Sequence, residues 1–177
     1  MNLPNAITFA RIALVPVFLV FAYRDTDGAQ LTALAVFVVA SMTDSLDGYL
    51  ARKSGAITRL GQFTDPLADK LLVGAALVVL VGDEGFPLWA AIVIAVRELA
   101  VQVLRITRTT GGRTMPASPF AKAKTATQLG MVSWWLLPWE ATNAGHWAWI
   151  AAALVTTTVS GLEYFTRSTP PAPEAAA

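Results

Sequence analysis

The sequence of 177 residues contains no cysteine and a single histidine, His146. Without cysteine the protein can form no disulfide bond, use no thiolate nucleophile and bind no metal through sulfur. His146 falls in a predicted loop, well away along the chain from the main cluster of acidic residues. A Ser-His-Asp mechanism therefore lacks a histidine near those acids, and we interpret His146 as an exposed polar loop residue.

Charged residues are also scarce, at 14% of the chain, whereas soluble domains have about a quarter. Hydrophobic residues make up 55%, and the mean hydropathy is +0.53. They are grouped into six runs, each close to the roughly 20 residues that a helix needs to cross a bilayer. The sequence therefore predicts an all-α integral membrane protein with six transmembrane helices, at about 8–23, 31–51, 67–82, 87–106, 121–139 and 146–166.

The segments between these runs contain residues that end helices. Pro87 and Pro119 suit the first turn of a helix, where a missing N–H group costs nothing. The start of the chain, "MNLPNAITFARI", looks partly amphipathic, which would suit a short N-terminal helix along the membrane interface. We expect one membrane domain over residues 1–167 and a disordered tail over 168–177, because the tail is rich in proline and small residues.

Basic residues predict the orientation in the cell (inner) membrane. Alternate connections contain one basic residue, Arg24, against five acids, whereas nine basic residues lie towards the other side: Arg11, Arg52, Lys53, Arg59, Arg108, Arg113, Lys122, Lys124 and Arg167. The positive-inside rule then places both termini in the cytoplasm. The six tryptophans lie towards the opposite ends and resemble an outer aromatic belt. The net charge of +1, without a basic tract, argues against a nucleic acid partner.

Four acids are concentrated in one stretch, "DSLDGYLARKSGAITRLGQFTDPLADK", at residues 44–70. On a helix, Asp44, Asp47, Gly48, Ala51 and Arg52 share one face, and Gly61, Asp65 and Asp69 share a face of the next helix. A short polar link lets the two helices run antiparallel with these faces opposed. The four carboxylates are therefore predicted to converge near the cytoplasmic boundary of the membrane.

Four neighbouring carboxylates repel one another and require protons or cations. Oxygen ligands favour hard divalent ions, magnesium best, with manganese or calcium as alternatives, and two ions could clamp a phosphate or a diphosphate. Gly48 and Ala51 leave room for a flat ligand. Ordinary acids at helix ends would explain Asp65 at the start of the third segment, and also Asp44. They would not explain four acids, two small residues and an arginine in register.

The pattern Asp-x2-Asp-Gly-x2-Ala-Arg-x8-Gly-x3-Asp-x3-Asp is matched at all eight positions and resembles the signature of the CDP-alcohol phosphotransferase family. The segments "LPNAITFARI", "IAVRELAVQVLR" and "AKAKTATQ" are similar to the bacterial branch that uses glycerol 3-phosphate as acceptor. This resemblance implies transfer of a phosphatidyl group from CDP-diacylglycerol to glycerol 3-phosphate, with CMP released. It also implies a homodimer.

The resemblance further implies roles for the residues of the motif. Asp69 would be the general base, and Asp44, Asp47 and Asp65 would hold two magnesium or manganese ions, with Asp69 as a further contact. Residues implied to receive the CDP group are Asn5, Thr8, Asp47, Gly48, Ala51, Arg52 and Gly61.

A second set of residues is basic and suits the phosphate of the acceptor. Arg97 lies within the fourth segment, where a guanidinium needs a polar cavity or a partner, and Arg105 is on the same face. Together with Arg113, Lys122 and Lys124 they could form a phosphate pocket. The alternative is that Arg97 is simply paired with Glu98 or another acid, and that the loop cations only follow the positive-inside rule.

Other functions compete with this interpretation. A divalent-cation transporter would have its acids near the middle of the membrane. A membrane prenyltransferase would show two separated acidic motifs in a longer chain. Within the family, the nearest alternatives are a cardiolipin synthase and a phosphatidylinositol phosphate synthase, which use other acceptors.

Overall fold

The computed structural model describes residues 3–54, 59–82, 85–109, 119–139 and 143–166. Within these ranges it describes side chains except at 3–6, 44–54, 59–67, 69, 105–109, 119, 121 and 164–166. The described part is all-helical. Its six helices are α1 (Leu3–Ala22), α2 (Asp27–Ser54), α3 (Arg59–Gly82), α4 (Leu88–Thr109), α5 (Pro119–Trp135) and α6 (Ala144–Thr166). The tail predicted to be disordered, 168–177, lies outside the described residues.

Six helices were predicted, but several of their ends differ. α2 and α3 extend from the apolar runs into the polar stretch between them, so that α3 begins at Arg59 and not near residue 67. Apolar runs mark the part of a helix that avoids water, whereas backbone hydrogen bonding continues through polar residues. α5 ends at Trp135 because Pro138 disfavours helical backbone just before it. α1 is continuous from Leu3 to Ala22, so the short N-terminal helix is not a separate element, and its position along a membrane interface stays a prediction.

Two helix starts have clear caps. Thr26 Oγ1 accepts a hydrogen bond from the Ala29 N–H at 3.4 Å at the start of α2. At the start of α6, Asn143 Oδ1 accepts from the Gly145 N–H at 2.9 Å. The Asn143 N–H donates in turn to Nδ1 of His146 at 3.1 Å. This is a reciprocal capping box in which histidine takes the place usually held by glutamate.

His146 is therefore not the exposed loop residue that we expected. It lies in the first turn of α6 and is 4% exposed. Its ring packs edge-on against Trp135, with the ring centroids 4.5 Å apart. Trp135 is buried as well, whereas Trp89, Trp139 and Trp147 are exposed. The tryptophans thus divide between packing inside the helical bundle and the outer surface.

The helices pack around a shared apolar core. α1 contacts α2 and α3, α5 packs along α6, and α4 also contacts α6. Phe18 of α1 and Phe37 of α2 meet in this core with ring centroids 5.9 Å apart. Leu80, Ile94 and Met131 bring α3, α4 and α5 into the same core.

Within the described residues, no helix combines the length and the apolar character needed to cross a membrane.

Candidate functional site

The acidic motif lies on two helices that contact each other. Asp44, Asp47, Gly48, Ala51 and Arg52 are in the C-terminal part of α2, and Gly61, Asp65 and Asp69 are in the N-terminal half of α3. The helical backbone gives these residues the register that their spacing predicted. Their side chains lie outside the described residues, as does that of Asn5, so the convergence of the four carboxylates stays a prediction.

A cavity of about 80 Å³ lies between α2, α3, α4 and α5. Its polar lining comes from Ser41, Lys70, Glu98, Lys124, Thr125 and Gln128. Two residues that line the cavity are close in sequence to the two halves of the motif. Ser41 precedes Asp44 by three residues, and Lys70 directly follows Asp69. Its volume is enough for several water molecules or a small polar group.

Glu98 is at the centre of the polar wall of this cavity and is only 6% exposed. Its Oε2 accepts a hydrogen bond from Nζ of Lys70 on α3. Its Oε1 accepts from Nζ of Lys124 on α5 at 2.5 Å and from Nη1 of Arg97 at 3.2 Å. Gln128 Nε2 donates to the same oxygen at 3.1 Å. One carboxylate therefore joins cations from three helices, and we call Lys70, Arg97, Glu98 and Lys124 the Glu98 cluster.

The polar contacts continue from the Glu98 cluster into α6. Arg97 Nη2 donates to Ser160 Oγ at 2.5 Å. Gln128 Nε2 also donates to Thr157 Oγ1, at 3.2 Å. Gly161 makes room for the guanidinium, because a Cβ atom there would lie 3.2 Å from Arg97 Nε. α6 thus holds Arg97 in place from the side opposite Glu98.

A second buried cation lies on α1. Arg11 is 0% exposed, and its Nε donates to the Ala40 carbonyl of α2 at 3.2 Å. The same carbonyl accepts from Thr43 Oγ1 at 2.7 Å. Thr8, one turn before Arg11, is also buried. Arg11 therefore lies against α2 just before its acidic part begins.

The basic residues predicted to hold the acceptor have different positions. Arg97 and Lys124 come together around Glu98. Lys122 is exposed on α5. Arg105 is in α4 with its side chain outside the described residues, and Arg113 lies outside them entirely. The pairing of Arg97 with Glu98 matches the alternative considered above, so its role towards an acceptor stays a prediction.

Sequence reasoning missed Lys70 and Gln128. Lys70 is a charged residue next to a long apolar run and directly after the last acid of the motif, which was a usable signal. Gln128 had no such signal, because a lone glutamine in a helix is common. Its burial at 6% exposure depends on the packing of α5 against α6 and on its hydrogen bond to Glu98 of α4.

The donor set of the motif determines which metal could bind. Among the described side chains, no group of three or more acids and histidines could hold a metal ion. The four aspartates of the motif, whose side chains lie outside the described residues, stay the candidates predicted from the sequence, and they offer oxygen and neither nitrogen nor sulfur. Such a set fits magnesium or manganese.

An all-helical bundle with paired aspartates on adjacent helices, next to a buried ionic cluster and a small cavity, suits an enzyme that acts on phosphate esters. The sequence profile of the CDP-alcohol phosphatidyltransferase family matches residues 1–159. The chain belongs to this family.

Several relatives match almost the whole chain. A CDP-diacylglycerol–glycerol-3-phosphate 3-phosphatidyltransferase of Bacillus subtilis is 42% identical, over 94% of this chain and 95% of its own. A protein of the same name from Rickettsia bellii is 36% identical, over 93% of both chains. A probable phosphatidylglycerophosphate synthase of Mycobacterium tuberculosis is 37% identical, over 94% of this chain and 81% of its own.

Proposed function

We propose that the protein transfers a phosphatidyl group from CDP-diacylglycerol to glycerol 3-phosphate, giving phosphatidylglycerol phosphate and CMP. The observation that carries this proposal is the similarity over nearly the whole chain to relatives named for that reaction. The complete match to the eight-position motif supports the use of a CDP-activated donor.

In the proposed reaction, Asp69 takes the proton from the acceptor hydroxyl. The hydroxyl oxygen attacks the phosphatidyl phosphorus, and the bond from that phosphorus to the oxygen shared with CMP breaks. CMP leaves with the bonding electron pair. Residues assigned to the CDP group are Asn5, Thr8, Asp47, Gly48, Ala51, Arg52 and Gly61.

Asp44, Asp47, Asp65 and Asp69 are the residues proposed to hold two magnesium or manganese ions. Bound there, the ions would neutralise charge on the diphosphate and on the leaving CMP. The residues proposed to hold the phosphate of the acceptor are Arg97, Arg105, Arg113, Lys122 and Lys124. The position of Lys124 supports this assignment, because Lys124 lines the cavity.

We also propose that the bundle is embedded in the cell membrane, with the acidic motif on the cytoplasmic side. In support, every helix has large apolar side chains exposed on its outside, among them Val20, Val39, Val78, Val96, Phe120 and Val155. Exposed apolar residues on all sides of a bundle are costly in water and suit lipid. A homodimer is proposed on the family resemblance, and the small residues of "VGAALVVLVG" in α3 would permit close helix packing.

The proposed function can be tested with purified protein in lipid vesicles containing CDP-diacylglycerol and magnesium. Glycerol 3-phosphate, glycerol, inositol phosphate and phosphatidylglycerol are supplied in separate reactions, and both CMP and the lipid product are measured. We expect CMP release and a new phosphatidylglycerol phosphate only with glycerol 3-phosphate. Faster product formation with inositol phosphate or phosphatidylglycerol would instead favour the two alternatives within the family.

A further inference from the structure

Glu98 is a buried acid with no role in the reaction proposed above. It is on α4, and both of its oxygens accept hydrogen bonds from cations, which are on α3, α4 and α5. A buried carboxylate is costly unless it is well paired. The cations therefore fix the position of the Glu98 carboxylate, and the carboxylate fixes the positions of the cations. The ion pairs therefore set where the side chains of Lys70 and Lys124 end.

Lys70 and Lys124 reach the same cavity from different helices. Both line its polar wall, together with Glu98. Long lysine side chains have many rotamers, and holding two ammonium groups near each other costs both entropy and repulsion. One carboxylate between them offsets that cost. Both ammonium groups pair with this carboxylate, Lys70 through Oε2 and Lys124 through Oε1.

Lys70 also has a particular place in the chain. It directly follows Asp69, the proposed general base, in the same helix. Its ion pair with Glu98 joins α3 to α4 one residue after the proposed base.

We propose that Glu98 is a positioning residue that holds Lys70 of α3 and Lys124 of α5 together at the cavity, where their ammonium groups receive the phosphate of the acceptor. This inference rests on the proposed function for the identity of the acceptor. It adds Lys70 to the residues expected to bind that phosphate. It also gives the buried acid a role in acceptor binding besides helix packing.

The test compares Glu98→Gln with the unmodified protein, with Asp27→Asn as the matched control. The control removes an exposed carboxylate from the first turn of α2, at the end of that helix away from the motif. Each substrate is varied in turn in steady-state kinetics. For Glu98→Gln we expect the KM for glycerol 3-phosphate to rise about ten- to a hundredfold, the effect of losing a charge-assisted contact. The KM for CDP-diacylglycerol should stay within about twofold, the margin for a contact that the donor does not make.

Glu98→Asp keeps the charge on a shorter side chain and should recover part of the acceptor KM. A carboxylate that served only to pack helices would lower the melting temperature and leave both KM values unchanged. That outcome, or a fall in the acceptor KM, would overturn the proposal. Should Glu98→Gln fail to fold, Lys70→Gln provides a second test, since it should raise the acceptor KM without affecting the donor. An unchanged acceptor KM in Lys70→Gln also overturns the proposal.

A binding measurement keeps this inference separate from the proposed function. Glycerol 3-phosphate should raise the melting temperature of the purified protein without any donor present. For the same shift, Glu98→Gln should require a concentration of glycerol 3-phosphate at least about ten times higher. This readout requires no turnover. Binding of glycerol 3-phosphate that depends on Glu98 but yields no product would contradict the proposed function alone, whereas equal stabilisation of both proteins would contradict this inference alone.

Discussion

At the scale of single residues, the four aspartates of the motif give the sharpest prediction. Asp44→Asn and Asp65→Asn should each lower turnover by roughly a hundredfold or more, because each removes a charge that would stabilise the diphosphate. Excess chelator should abolish the activity of the unmodified protein, and added magnesium or manganese should restore it. CMP release is the measurement, and membrane-inserted protein is quantified in parallel.

Asp25→Asn is the matched control for this prediction, because Asp25 is exposed in the connection between α1 and α2. It should keep full activity. Undiminished CMP release in excess chelator would rule out a metal-dependent reaction. Full activity in both Asp44→Asn and Asp65→Asn would remove the motif from the catalytic centre.

The residues of the site differ in how far the sequence could predict them. The motif was readable because its spacing is periodic along a helix, and the backbone of α2 and α3 confirms that it is helical. The Glu98 cluster was only partly readable, since its members come from three helices and their meeting depends on tertiary packing. The capping role of His146 was missed because a histidine is an unusual residue at that position of a capping box.

At the scale of helices, the contact between α5 and α6 depends on a glycine. A Cβ atom at Gly130 would overlap the ring atoms Cζ3 and Cη2 of Trp149. Gly130→Ala should therefore destabilise the protein by about 1 to 3 kcal/mol, the usual cost of overpacking. Thermal unfolding in detergent measures this effect.

Gly28→Ala is a suitable control because a Cβ atom there has no neighbour within 4 Å. It should leave the melting temperature unchanged or raise it slightly. If Gly130→Ala proves as stable as the control, Trp149 must be able to move aside without cost, and α5 and α6 would not be locked by this contact.

The number of helices could be predicted from the sequence, whereas their ends could not. Apolar runs identified α1 to α6 because apolar side chains occupy most of the length of each helix. α3 was predicted to begin too late, since its first turns contain Gly61, Gln62 and Asp65, which are polar or small yet helical. Hydropathy reports the environment of a helix and not the extent of its hydrogen bonding.

At the scale of the whole molecule, the prediction concerns orientation. The chain has no cysteine, so a single engineered cysteine can report its side of the membrane without background. Cysteine at Asp83 or Asn143 should react with an impermeant thiol reagent added to intact cells, and cysteine at Ser54 should react only after lysis. Labelled protein is detected on a gel.

The three positions control for one another, because all are expected to react once the cells are opened. The reverse pattern, with Ser54 labelled from outside, would place the acidic motif away from the cytoplasm. In that case the proposed use of cytoplasmic glycerol 3-phosphate could not stand.

The Glu98 cluster also has a consequence for the order in which the molecule is made. Its members are synthesised in sequence from Lys70 through Glu98 to Lys124, and at cellular rates of about 5 to 20 residues per second the last arrives roughly 3 to 11 seconds after the first. Once Glu98 has been made and until Lys124 follows, Lys70 and Arg97 are the members of the cluster that can neutralise it. The emergence of α5 completes the cluster, so the last step in assembling this polar wall waits for the second half of the chain.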